Sequence, residues 1–150
     1  MKFARIAART ALVGALLAAG VAFAEGEATD PNAVLRQTTM KAIGGSMKVL
    51  GDMAGGKAAY DATAAEEAKA KLITAVAEIP TSFATQGAAD PNSEAKAEIW
   101  ANWDDFLKDA EALKVAADAA DVSSVDTIKA SMGALGAACK DCHTEYRVMN

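Results

Sequence analysis

The sequence predicts an all-α protein, an antiparallel up-down-up-down four-helix bundle. Three observations lead there. The 150 residues are rich in Ala, with only 5% aromatic side chains and three Pro. Four segments carry a seven-residue apolar rhythm, separated by turn signals. No segment alternates apolar and polar residues as a half-buried strand would.

Each helix is delimited by its own chemistry. Asp30-Pro31 opens the first, as an N-cap followed by Pro at the first helical position. Its expected inward stripe is Arg36, Met40, Ile43, Met47, Leu50 and Ala54, and Gly55-Gly56 ends it. The second starts near Asp61 or Thr63, where Thr63 and Glu66 have capping-box spacing. Its stripe is Ala65, Ala68, Leu72, Val76 and Ile79, after which Pro80 breaks or kinks the helix. Residues 80–93 form the longest irregular connection. The third helix follows Ser93 with the stripe Ile99, Trp103, Phe106, Ala110, Leu113 and Ala117. The fourth starts after Ser123 or Ser124, and its stripe runs Ile128, Met132, Leu135, Cys139, Cys142, Tyr146.

The first 24 residues read differently. Lys2, Arg5 and Arg9 make a basic start, Ala11 to Phe23 is apolar, and Ala22-Phe23-Ala24 fits a cleavage site. These are the parts of a secretory signal peptide, and the apolar run is short for a membrane span. Cleavage leaves residues 25–150 as one bundle domain, exported to a periplasm. The loss of three cations takes the net charge from −5 to about −8. That sign argues against nucleic acid or anionic lipid as partner. It suits solubility and a basic redox partner.

The chemistry is concentrated in Cys139-Lys140-Asp141-Cys142-His143, a C-x-x-C-H signal for attachment of a c-type haem. Two thiols at this spacing can form thioethers with one porphyrin, and the adjacent imidazole can bind its iron. The motif uses both cysteines and the one histidine of the chain. A redox dithiol would sit in a βαβ context near a helix start, whereas this pair lies late in a helical pattern. Zinc would need about four ligands, and Cys and His supply three. One haem c per chain, near the C-terminal end of helix four, is therefore expected. A bundle places the end of helix four beside the start of helix one. His143 lies about 8 Å from the end of its helix and Met40 about 14 Å into the first, at 1.5 Å per residue. Met40 can then face the side of the haem opposite His143.

The sequence resembles the class II cytochromes c, which include cytochrome c prime and its low-spin, Met-ligated relatives. The resemblance runs from Asp30 to Met149. It is carried by Arg36-Gln37-Thr38-Thr39-Met40, Met47-Lys48-Val49-Leu50-Gly51, Ala97-Glu98-Ile99-Trp100 and the stretch Gly136 to Arg147 around the haem motif. Many relatives have Pro where Ala97 stands, a departure that bears on how helix three starts. The resemblance implies thioether roles for Cys139 and Cys142 and the proximal iron position for His143. It puts Arg147 near that imidazole, Arg36 near the haem propionates, and Met40 over the sixth coordination site. Trp100, Trp103 and Phe106 are core aromatics, of which one borders the ring; the resemblance favours Trp100, with Phe106 also in the haem environment.

Two functions stay open at this point. With Met40 bound, the protein is a one-electron carrier, since Met/His ligation raises the reduction potential. With Met40 only covering the iron, it binds nitric oxide or carbon monoxide, as cytochrome c prime relatives do. An enzyme is not expected, because a peroxidase wants a distal acid–base group and the chain has no second His. The family is often homodimeric through its first two helices, and the sequence leaves monomer and dimer open.

Overall fold

The computed structural model describes residues 26–148, so the expected signal segment lies outside the described residues. Four long helices form the bundle: α1 (Pro31–Ala54), α2 (Ala62–Ala77), α5 (Trp103–Ala119) and α6 (Val125–Tyr146). Two short ones, α3 (Ile79–Phe83) and α4 (Glu98–Ala101), interrupt the middle connection. Helix α1 packs on α2 and α6, and α5 packs on the same two, which closes the ring. None of the described helices is long and apolar enough to cross a membrane.

The helix ends follow local chemistry. The Asp30 carboxylate accepts from the N–H groups of Asn32 and Ala33, both at 3.0 Å, satisfying donors that an α-helix leaves orphaned. Gly56 follows α1 with φ 71°, a backbone that favours glycine. Asp61, rather than Thr63, caps α2 by accepting from Ala64 N–H at 2.8 Å. Ser124 starts α6 in a reciprocal pair with Thr127.

Two expected helix boundaries need correction. Pro80 does end α2, but the chain resumes helix at once as α3, because Pro fits the first turn where its missing N–H costs nothing. Part of the predicted loop is therefore helical. The third helix does not start after Ser93. Residues 94–96 are held against residues 146–148 by backbone hydrogen bonds, so helix begins only at Glu98, and Asn102 (φ −123°, ψ 46°) then separates α4 from α5.

Inside α1 the buried stripe is rotated from the one expected. Thr39, Ser46 and Met53 are buried, while Met40 and Met47 are half-buried. Thr39 and Ser46 donate their hydroxyls to the carbonyls of Leu35 and Ala42, one turn back, so they enter the core without an unsatisfied polar atom. The rotation turns the two methionines away from the tightest packing. The core divides into two clusters. The larger one includes Leu72, Val76, Ile99, Phe106, Leu113 and Leu135. The smaller one gathers Leu50, Met53, Ala65, Ala68, Val122 and Ile128 at the end of α1 and the start of α6. That pairing of helix ends, together with Met40 sharing a cavity with His143, makes α1 and α6 antiparallel.

Candidate functional site

A cavity of about 690 Å³ opens between the first half of α1 and the last turns of α6. Its size falls in the range of pockets that hold a small molecule or cofactor, roughly 300–1,000 Å³. Met40, Ile43 and Met47 line it from α1, and Cys139, His143 and Tyr146 from α6. Phe83, Ile99 and Phe106 make the floor. Gly44 and Gly136 line it from the two helices, and a Cβ on either would meet nothing within 4 Å. A larger side chain at those positions would occupy space that the fold keeps clear.

The α-helical spacing explains why the motif residues part company. Cys139 and His143 are four apart and share a face, so both reach the cavity. Cys142 is not in the cavity wall; it is half-buried and packs against the core. Both thiols are free of any disulfide. Burial pushes the Cys142 thiol up to about 12, helped by Asp109 and Cys139. A redox dithiol needs the opposite shift, because thiolate is its reactive form. Among the described residues no three His, Cys, Asp or Glu side chains gather as a metal site of their own. His143 is half-buried, and its pKa is lowered by that burial and by Arg147, with Glu94 acting the other way. A neutral imidazole is the form that ligates a metal.

Arg36 is the strongest anomaly in the site. It is 4% exposed and lines the cavity. Its Nη1 donates to Thr85 O at 3.0 Å, and its Cζ lies 5.1 Å from the Trp100 ring and 5.9 Å from that of Phe83. Burial lowers its pKa, while Asp30 and Asp90 favour the cation from a distance. Its buried Nε has no hydrogen-bond partner. A donor left in that state costs about 1–3 kcal/mol, so an anionic group in the cavity would complete it. The haem propionates are such groups. The open space at Gly44 and Gly136, the apolar floor and the unanswered guanidinium donor all fit haem.

The remaining expected residues fall in different layers. Phe106 touches the cavity and sits at the centre of an aromatic group, 5.2 Å from Phe83 and 5.4 Å from both Trp103 and Tyr146. Trp100 stands one layer back, behind Arg36, with its indole N–H donating to Phe83 O at 2.8 Å. Arg147 caps α6 beside His143 and pairs with Glu94 at 2.6 Å. Sequence reasoning missed Phe83 and Glu94. Phe83 could have been suspected as a lone aromatic after Pro80, but nothing local to Glu94 signals its pairing with a residue 53 positions away.

The cytochrome C' family pattern matches residues 33–147. The chain is 35% identical over 117 residues to a cytochrome c' of Pararhodospirillum photometricum, covering 75% of this chain and 92% of that one. It is 34% identical over 142 residues to a cytochrome c-556 of Agrobacterium fabrum, covering 92% of each. A solved nitric oxide complex of a cytochrome c prime variant from Alcaligenes xylosoxidans superposes with a TM-score of 0.68 at 27% identity, over 79% of this chain and 95% of that one. The chain belongs to the cytochrome c' family, the class II cytochromes c, whose members carry covalently attached haem c.

Proposed function

We propose that this member of the family is a periplasmic one-electron carrier, with His143 and Met40 as the axial iron ligands. The observation that carries the reading is the position of the two side chains: they line one cavity from different helices, α6 and α1. The C-x-x-C-H motif supports Cys139 and Cys142 as the thioether residues and His143 as the proximal ligand. The signal peptide read in residues 1–24 supports export, with residues 25–150 as the mature domain. When bound, haem supplies a one-electron iron couple whose potential Met/His ligation raises.

The chain's own groups have separable tasks. Met40 would close the distal side, and its thioether, a soft donor, would leave no position open on a bound iron. Arg36 is held by Thr85 O and the Trp100 ring and keeps one buried Nε–H without a partner, which would be available to a haem propionate. Phe83, Ile99 and Phe106 give the cavity an apolar floor, which would disfavour water beneath a bound ring. This arrangement suits electron transfer, because little has to move when the charge changes. It offers no second imidazole for peroxide chemistry, so carriage rather than catalysis is the proposed activity. The acidic net charge favours a basic redox partner.

A second reading has its own support. A variant of the Alcaligenes relative was solved as its nitric oxide complex, and Met40 as a half-buried apolar wall would leave a five-coordinate iron open to small neutral gases. Absorption spectra of the oxidised and reduced holoprotein separate the two. The carrier reading expects a low-spin spectrum at neutral pH with the weak red band of Met–Fe(III) bonding. A high-spin wild-type spectrum would replace it with the gas-binding reading.

A further inference from the structure

We propose that Glu94 is a positioning residue for the proximal side of the haem site, acting through Arg147; the inference rests on the proposed ligation by His143. Beyond α6 the chain doubles against the strap that precedes α4. Ala95 and Arg147 form an antiparallel bridge, Val148 N–H donates to Glu94 O at 2.8 Å, and Lys96 N–H donates to Tyr146 O at 3.0 Å. The Lys96 ammonium donates to the carbonyls of Thr144 and Glu145 at 3.2 and 3.1 Å. These are carbonyls that the end of a helix leaves unpaired, and a cation is favoured there.

On this small ribbon one carboxylate oxygen of Glu94 accepts from both Nε and Nη2 of Arg147, each at 2.6 Å. The Arg147 N–H donates in turn to His143 O at 3.1 Å. Glu94, Arg147 and His143 share one wall of the cavity. A half-exposed ion pair usually contributes little, since two long side chains must be ordered to make it. Here both backbones are already held by the ribbon, so less freedom is lost. The consequence is directional: the strap fixes where the guanidinium lies beside the imidazole, and the carboxylate cancels its charge. Loss of the carboxylate makes the charge beside the iron one unit more positive, which favours the reduced iron.

The test compares holoproteins carrying Glu94→Gln, Glu94→Asp and Arg147→Gln. Two quantities are read: the reduced-to-oxidised ratio at fixed solution potential, and the hyperfine-shifted haem methyl resonances, whose spread reports the orientation of the axial imidazole. Glu94→Gln should raise the ratio about three- to tenfold, the scale for loss of one unit charge in a half-exposed setting beside the site; tenfold is about 59 mV for one electron. It should also alter the methyl spread. Glu94→Asp should restore both, and Arg147→Gln should lower the ratio. Wild-type values in Glu94→Gln overturn the proposal. So does a changed ratio with an unchanged methyl pattern, because Glu94 would then act only as a distant charge. If Glu94→Gln does not mature, the other two variants carry the test, with failure of Arg147→Gln to move either readout as the refuting result. Failure of Met40 ligation would show instead in the wild-type spectrum, and the methyl comparison applies in either spin state.

Discussion

The two ends of the bundle are built from the same helices on opposite plans. At the far end, Leu50, Ala65 and Ile128 are within 1% of complete burial and meet across α1, α2 and α6. At the haem end, the corresponding seam residues Met40, Met47, Cys139 and His143 stay half-buried around about 690 Å³. One end is finished by side chains alone. The other keeps flexible, soft or ligating groups. Protein interiors are close-packed, so a seam that declines to pack over two helical turns marks a place reserved for something else.

The comparison can be broken in order of expected effect. The largest disturbance should come from Cys139→Ala with Cys142→Ala, which removes covalent haem. Amide exchange in the first half of α1 and the last turns of α6 should accelerate by orders of magnitude, far more than around Leu50 and Ile128. Equal protection at both ends would mean that the division is not energetic. Next, Leu50→Ala should cost about 2–5 kcal/mol in denaturant unfolding, as large-to-small changes in a packed core do, with the haem spectrum unchanged. Met40→Ala should invert that pattern. Its stability cost should fall below that of Leu50→Ala because the side chain is already half-exposed, yet low-spin iron should become high-spin and bind carbon monoxide.

The smallest effect sharpens the comparison through the loop that borders the cavity. Asp90 accepts from the N–H groups of Thr29 and Asp30 at 2.6 and 2.8 Å, which joins the loop to the start of α1. These bonds and one from Asn92 hold its carboxyl at about 2, against the usual 3.8. A folded-state value below the unfolded one means stabilisation that is complete above about pH 4 and lost as pH falls toward about 2. Asp90→Asn should therefore flatten the acid limb of the stability profile, measured by urea midpoints between neutral and acid pH. A variant with an unchanged acid limb would show that the clasp is not coupled to unfolding.

The closed end was far more legible than the cavity end. Leu50, Ala65, Ala68 and Ile128 read as core because apolar residues at helical spacing have one favourable place to go. The same rule misjudged α1 where polar residues could satisfy themselves internally: Thr39 and Ser46 took the buried face that apolarity assigned to Met40 and Met47. It also missed the break at Asn102, because no Gly or Pro marks it. The Ala97 position, where many relatives carry Pro, gave only a general warning about how the third helix starts.

The sequence by itself determined the helical class, the cap at Asp30, and the one motif able to hold a haem and its iron. Those properties are local, set by neighbours within about one or two turns of chain. The tertiary structure decided that Met40 and His143 share a cavity, that Arg36 is buried with a donor unanswered, and that Glu94 reaches Arg147. Each depends on bringing together groups dozens of residues apart, and helical periodicity gives the direction of a side chain relative to its own axis but not the partner it will meet.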